Sequence, residues 1–483
     1  MSLSRINVLK YFLLFALSGI LIYLVLNKSI SGDETATFAI ASMQYSDIFF
    51  QKYIGEFNPF GYFILNKFFI DIFEPSQTLL KIIPALFYLL SIIFFYKSLR
   101  LIGKNQKFSL VAVVLFSFLP INFYFAIFAK PYSFLLFYTN LIIYLSININ
   151  ISGRLIYKVI YIIASITALY THFFSGLILF LLFLGQSTFL YHKNLRYLKE
   201  IFILNVLISM TLIPELPIIF DMVSQLANVD QNHTANGHGY NFLFVMYGLM
   251  FGNTLAPINY FIILYVLLSF IYILFIFFSK ALYLDKELSV ILIATVLLNT
   301  ILSFTGFARP MYLIFLTPFL VYAITKIAFT YNSKFLLFML FPLMLASNFN
   351  FITNNTKFFV SPMYSIDNQY YYGDFISKNL KNNKSLLIIS PSYNKSVFKL
   401  YSAKFRDNAE LAYVDSFGQL SPYNFNDEQI HNEIYLFIEN HSQDIELSLD
   451  KLYKKKEIII DKKHTSFTTN KEYSFFKIIK YSK

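Results

Sequence analysis

The stretch "SGDETATFAI", residues 31–40, places two adjacent carboxylates, Asp33 and Glu34, just past an apolar run. A carboxylate can act as general base toward a hydroxyl nucleophile when it comes within direct reach of the proton. Its neighbour would then serve as hydrogen-bonding or ion-binding partner. The plainer reading is a solvated loop in which Asp33 caps a helix beginning at Thr35. Other residues able to do chemistry stand singly at the ends of apolar runs. They are Glu56 in "GEFNPFGYF", Lys130 and Tyr132 in "FAKPYSF", His172 in "YTHFF" and Arg309 in "GFARPMY". The two cations suit a phosphate, Arg as a planar fork and Lys as a point charge. A neutral imidazole at His172 could bind a hydroxyl or a metal. Each also has a bland reading. Glu56 precedes an Asn58-Pro59 turn, the cations can snorkel to headgroups, and a lone histidine often bonds locally. His233 and His238 lie in a Gly- and Asn-rich loop and form a weak metal pattern. A divalent metal at the carboxylates is compatible with the residue types, but no spacing specifies one.

These residues gain meaning from the elements that must hold them. The 483-residue chain is 57% apolar and only 14% charged, against roughly 45–50% and 25% in soluble domains. The excess comes in blocks of about 18–22 residues, the length that crosses a bilayer as helix. Eleven spans are expected: 8–27, 79–98, 109–126, 131–149, 155–171, 173–190, 200–219, 257–279, 288–305, 310–327 and 334–350. The first has no small-residue cleavage site after it and reads as a retained anchor, not a signal peptide. There is no cysteine, hence no disulfide framework and no thiolate metal site.

The net charge of +12 follows membrane orientation and does not argue for nucleic acid. With the N-terminus cytoplasmic, fifteen Lys and Arg fall on inner segments and six on the longer outer segments before the tail. That is the expected bias. Residues 1–350 therefore read as a polytopic α-helical membrane domain, with outer loops at 28–78 and 218–256. Within the first, 58–73 reads as a helix on the membrane surface, its Asn66, Lys67 and Asp71 near one face. Residues 351–483 read as a separate small α/β domain on the outer side. Strands are expected at 385–390, 434–439, 457–461 and 473–481, with helical patterns near 370–381, 393–403 and 444–455. No Gly-rich nucleotide motif occurs there.

Ionisable residues at the membrane edge are costly and so usually functional. Asp33, Glu34, Glu56, Lys130, His172 and Arg309 all fall on the outer side, each at the end of a different span or loop. A pocket gathering them would offer cations for a phosphate, a base for a hydroxyl and apolar walls for a lipid tail.

The order of these motifs resembles the GT-C fold glycosyltransferases that use polyprenyl-phosphate sugars. More narrowly, it resembles bacterial relatives of protein O-mannosyltransferases and of the lipid A aminoarabinose transferase, over residues 8–330. "SGDETATFAIA" is similar to the family's acidic pair, which implies that Asp33 is the catalytic base with Glu34 beside it. "EFNPFGYFILNKFF" is similar to an acidic-x-His/Asn-Pro-Pro-Leu-Tyr-Tyr segment, with Glu56 at the acidic position and Phe60 and Gly61 replacing the second proline and the leucine. In "LLKIIPALFYLL", Lys81 replaces the family's arginine. In "FAIFAKPYSF", Phe128 and Lys130 replace a glutamate and an arginine. "YTHFF" matches a Tyr-Thr-His-Tyr stretch, and "ARPMYLIFLTPFL" implies that Arg309 lies near the donor phosphate.

The resemblance implies an inverting transfer from a polyprenyl-phosphate sugar to a hydroxyl of a lipid, glycan or protein acceptor. It would occur at the periplasmic face of a bacterial inner membrane, among membrane lipids and without nucleic acid. Two other readings remain. One is a lipid-linked sugar flippase, which needs charge deeper in the spans than these carry. The other is a polymerase or ligase using pyrophosphate-linked donors, which favours several outer arginines where Arg309 stands alone.

Overall fold

The structure is a computed structural model. It describes residues 3–28, 30, 32–51, 58–73, 76–190, 194–220, 245, 247–252, 294, 310–331, 334–353, 385–390, 409–413, 433–439, 445–446, 449–450, 455–465 and 472–482. The expected spans at 257–279 and 288–305 lie outside these residues, as do the loop histidines, Glu56 and Arg309.

A long helix α1 (Leu3–Asn27) leads into a short α2 (Gly32–Ala41) and then α3 (Tyr45–Phe49) and α4 (Phe60–Ile72). Next come α5 (Gln77–Leu101), α6 (Gln106–Phe118), α7 (Pro120–Phe125), α8 (Tyr132–Ser152), α9 (Leu155–Leu169), α10 (Ser175–Leu190) and α11 (Leu195–Met210). A 3-10 segment (Pro310–Leu316) continues as α12 (Thr317–Thr330), followed by α13 (Lys334–Thr353). Among the described residues, Gln77–Leu101, Tyr132–Ser152 and Pro310–Thr330 are long and apolar enough to cross a membrane by length and composition. Leu195–Met210 and Ile213–Phe220 pass the same test when taken together, with a bend of 40° between them.

Local chemistry sets the ends. Ser76 accepts from the Leu79 amide at 3.1 Å and starts α5; Asn105 accepts from Phe108 at 2.8 Å and starts α6. Both are N-cap bonds. Gly153 ends α8 with φ +62°, a left-handed conformation that glycine adopts without steric cost. The expected span 109–126 is broken. Pro120 cannot donate to the carbonyl of Phe116, and its ring obstructs a continuous helix. The freed carbonyl accepts instead from Asn122 Nδ2 at 3.0 Å, and Tyr88 Oη donates to the Ser117 carbonyl at 2.7 Å. Thr317 then donates to Asn122 Oδ1 at 3.0 Å, tying the break to α12. A buried proline break therefore leaves few backbone groups unsatisfied.

Two further expectations change. Helix α2 begins at Gly32, not Thr35, so Asp33 belongs to its first turn and is not its cap. In α4, Lys67 and Asp71 form an ion pair at 3.1 Å near the surface. Asn66, expected on the same polar face, is fully buried and donates to the Tyr62 carbonyl at 2.8 Å. Burial of Tyr62 and Phe63 beside it shows that α4 packs on the bundle through that face.

Among the described residues, the tail holds five strands: β1 (Ser385–Ser390), β2 (Ala409–Tyr413), β3 (Glu433–Glu439), β4 (Lys455–Thr465) and β5 (Glu472–Ser482). They form one sheet in the order β2-β1-β3-β5-β4. β1 runs parallel to β2 and β3, whereas β5 is antiparallel to both β3 and β4. Strand β2 was not expected. The helical patterns at 370–381 and 393–403 lie outside the described residues.

Candidate active site

The site is best built outward from Glu34. It lies on α2, is fully buried, and its Oε1 accepts from Lys81 Nζ at 3.1 Å and from the Ala129 amide at 2.7 Å. Lys81, on α5, is also fully buried. One helical turn beyond Glu34, Thr37 donates to the Ala129 carbonyl at 2.7 Å. Both backbone groups of Ala129 are thus held by α2, through side chains three residues apart on one helix face. Ile30, Leu80 and Ala129 close the apolar side of this junction. A carboxylate taken out of water needs such partners, because an unpaired buried charge costs several kcal/mol (~3–5 kcal/mol when one partner is removed).

Ala129 precedes Lys130, Pro131 and Tyr132, the turn between α7 and α8. The Lys130 amide donates to the Phe128 carbonyl at 2.7 Å and Ser133 Oγ to the Phe125 carbonyl at 2.6 Å, which tightens the reversal. Lys130 and Tyr132 are both buried. The Tyr132 ring lies 4.6 Å from that of Phe125 and 5.9 Å from that of His172. His172 occupies the turn between α9 and α10 and is buried. Its Nδ1 accepts from the Phe174 amide at 3.2 Å, so the neutral ring carries its proton on Nε2. Phe174 stacks on Tyr312 at 5.3 Å, and Tyr312 also faces His172 at 6.4 Å. Tyr312 follows Arg309 by three residues.

The position of the His172 turn is set from a second direction. The Gly61 amide, at the start of α4, donates to the Tyr170 carbonyl at 2.7 Å. A Cβ on Gly61 would stand 2.5 Å from that oxygen. Only glycine allows this approach. Phe60 reinforces it, its ring 5.0 Å from that of Tyr170. Tyr170 Oη in turn donates to the Thr211 carbonyl, at the end of α11.

Of the expected site residues, the structure brings Glu34, Lys130, Tyr132 and His172 into one chain of contacts. Asp33 is placed through its backbone in α2, next to Glu34; its side chain lies outside the described residues. Three residues that the sequence reading did not assign to the site join its surroundings. Lys81 pairs with Glu34. Lys28, at the end of α1, is 2% exposed and lies 4.9 Å from the Phe351 ring centre. Glu215 is buried and accepts from Gln51 Nε2 at 2.5 Å, where Gln51 adopts φ +50°. A lysine or acid at the outer end of a span was the available signal in each case.

A groove of about 550 Å³ runs beside the site between α9, α10 and α11. Leu179, Phe180, Phe183, Phe202 and Val206 form its apolar walls, and Gly176, four residues past His172, also lines it. Among the described residues no three His, Asp or Glu side chains converge as a metal site.

No protein-family model matches the chain, and no curated protein matches it. Solved structures do. ArnT from Cupriavidus metallidurans in the apo state overlaps with a TM-score of 0.52 at 13% identity, over 98% of each chain. The same protein bound to undecaprenyl phosphate gives 0.49 at 12% identity, over 97% of each. An Archaeoglobus fulgidus oligosaccharyltransferase, in complex with zinc and sulfate, gives 0.44 at 12% identity, over 88% of this chain and 67% of that one. The overlap with apo ArnT along nearly the whole chain establishes shared architecture: the protein has the mostly helical fold of that structure.

Proposed function

We propose that the protein is an integral membrane glycosyltransferase that moves a sugar from a polyprenyl phosphate to an acceptor hydroxyl at the outer face of a bacterial inner membrane. The observation that carries this reading is the convergence of Glu34, Lys81, Lys130, Tyr132 and His172 at one end of an apolar bundle. Buried ionisable groups at a membrane edge are retained for a task, and here they surround the first turn of the helix that carries Asp33. The fold shared with ArnT is consistent with this task, as is the order of motifs in the sequence.

In this mechanism Asp33 takes the proton of the acceptor hydroxyl. The oxygen attacks the anomeric carbon, the bond to the lipid phosphate breaks, and the phosphate leaves with the bonding electrons. A single displacement inverts the anomeric centre. Lys130 and Arg309 offset the charge that develops on the phosphate, where fixed cations act strongly because water is excluded. Lys130 contributes a point charge where the family's arginine would contribute a fork. Glu34 is a positioning residue: its carboxylate ties α2 to α5 and to the Lys130 turn and so holds Asp33 in place. His172, with its proton on Nε2, donates to the sugar or acceptor, and Glu56 orients the same ligand. The groove between α9 and α11 houses part of the polyprenyl tail.

The test is transfer of label from a polyprenyl-phosphate sugar into an acceptor extract by the detergent-purified protein. Asp33→Asn should lower the rate about 10²–10⁴-fold, the usual contribution of a general base, while leaving the melting temperature near wild type. Lipid-sugar flipping in vesicles that persists in Asp33→Asn, without any transfer by the wild type, would reject the proposal in favour of a transporter.

A further inference from the structure

At the opposite end of the bundle from the candidate site lies a second cavity, of about 270 Å³, between α1, α5 and α6. Its walls are Leu13, Leu14 and Leu17 of α1, Ile92 and Ile93 of α5, and Leu110, Val113 and Val114 of α6. Tyr11, Tyr96 and Lys97 line one end and Ser117 and Phe118 the other. The lining is almost wholly apolar, which suits an alkyl chain and not a headgroup.

The charge around its first end is one-sided. Lys97 is at the mouth, its ammonium 5.5 Å and 5.9 Å from the ring centres of Phe94 and Tyr144. Arg100 follows one turn later and donates to the Lys104 carbonyl at 2.6 Å. Lys107 opens α6. No Asp or Glu occurs in residues 3–17 or 92–118. Lys97 at the groove, with Arg100, Lys104 and Lys107 on the same α5–α6 junction and no acid in either segment, complements an anionic amphiphile. Each Lys or Arg near a membrane surface contributes about 1 kcal/mol toward anionic lipid.

We propose that this groove binds one acyl chain of an anionic diacyl phospholipid from the leaflet on the basic side of the bundle. The lipid wedges between α1 and the α5–α6 pair. The far end of α1 is Asn27, and α2 begins five residues later at Gly32. A lipid that seats α1 therefore steadies the helix that carries Asp33 and Glu34 from the other side of the membrane. The proposal does not depend on sugar transfer, since it concerns a different cavity.

Native mass spectrometry of the full-length detergent-purified chain tests it, with phosphatidylglycerol, phosphatidylcholine and a polyprenyl phosphate offered in turn. Phosphatidylglycerol should bind saturably at one copy and about tenfold more tightly than phosphatidylcholine. It should also raise the melting temperature. Val113→Trp fills the groove and should abolish the saturable adduct. Lys97→Gln keeps the packing and should reduce the preference for the anionic lipid about fivefold. Should Val113→Trp fail to fold, the Lys97→Gln titration decides alone. Equal binding of the two phospholipids overturns the proposal and leaves the cations with an orienting role only. So does saturable binding that survives in folded Val113→Trp. Tighter binding of the polyprenyl phosphate overturns it in favour of a donor site, and a dimer mass that lipid does not disperse overturns it in favour of a second copy.

Discussion

Glu34 illustrates how a single side chain changes meaning once its surroundings are known. Beside Asp33 it reads as half of a reacting pair. In the fold its Oε1 meets Lys81 at 3.1 Å and the Ala129 amide at 2.7 Å, with both ionised side chains fully buried. Removing one member leaves an uncompensated charge, at a cost of about 3–5 kcal/mol. Glu34→Gln and Lys81→Met should each lower stability by that order in a detergent unfolding titration. The double variant Glu34→Leu/Lys81→Met should recover a large part of the loss, because neither charge is then stranded. A loss in the double variant equal to the sum of the two single losses would mean that the pair does not interact. The pairing was not legible in the sequence: forty-seven residues separate the partners, and nothing local marks them. What could be read was each residue's oddity. Lys81 stands in an apolar run, and Lys130 is a cation on the outer side. Both oddities pointed to sites that are buried and engaged.

The elements that hold the site meet through backbone contacts more than through side chains. Ala129 is gripped by Glu34 and Thr37 of α2, and the Tyr170 carbonyl is gripped by the Gly61 amide of α4. At Gly61 a methyl group would stand 2.5 Å from the Tyr170 oxygen. Gly61→Ala must push α4 off the His172 turn, and overpacking of this kind costs about 1–3 kcal/mol. The displaced turn carries His172, so activity should fall further than stability. A transfer assay and a melting curve on the same preparation would check this; parallel losses would show that the contact serves only the fold. Apolar runs made α1, α5, α8, α9 and α10 readable to within a few residues, because a bilayer-length block leaves little choice. The break at Pro120 was less readable. Hydropathy continues across it, and only the carbonyls taken over by Asn122 and Tyr88 show that the chain stops being one helix there. Burial of Asn66 was missed for a related reason: a helical face pattern distinguishes polar from apolar, but cannot tell a solvated amide from one bonded to its own helix at Tyr62.

At the scale of the whole molecule, the two ends of the bundle differ in charge and in chemistry. Short links join α5 to α6, α8 to α9 and α10 to α11, so these junctions share one end; Asn194 donates to Asn150 there at 2.9 Å. That end carries Lys97, Arg100, Lys104, Lys107, Arg154, Lys158 and Arg196. The other end carries the turns at 129–131 and 170–174 and the helix bearing Asp33. On the proposed orientation, the bias of Lys and Arg toward the cytoplasm during insertion would put the site end outside, where the proposed lipid-linked donor would be consumed. The chain contains no cysteine, so a single introduced thiol reports one position without background. Ser46 in α3 is exposed on the site end, and Lys107 is exposed on the basic end. A membrane-impermeant maleimide applied to intact spheroplasts should label Ser46→Cys and leave Lys107→Cys untouched until the membrane is opened. Ile458, exposed on β4, extends the test to the tail: Ile458→Cys should label with Ser46→Cys if the sheet lies on the same side as the site. Labelling of Lys107→Cys in sealed cells would invert the topology, put Asp33 in the cytoplasm, and remove the reason for charging the opposite end.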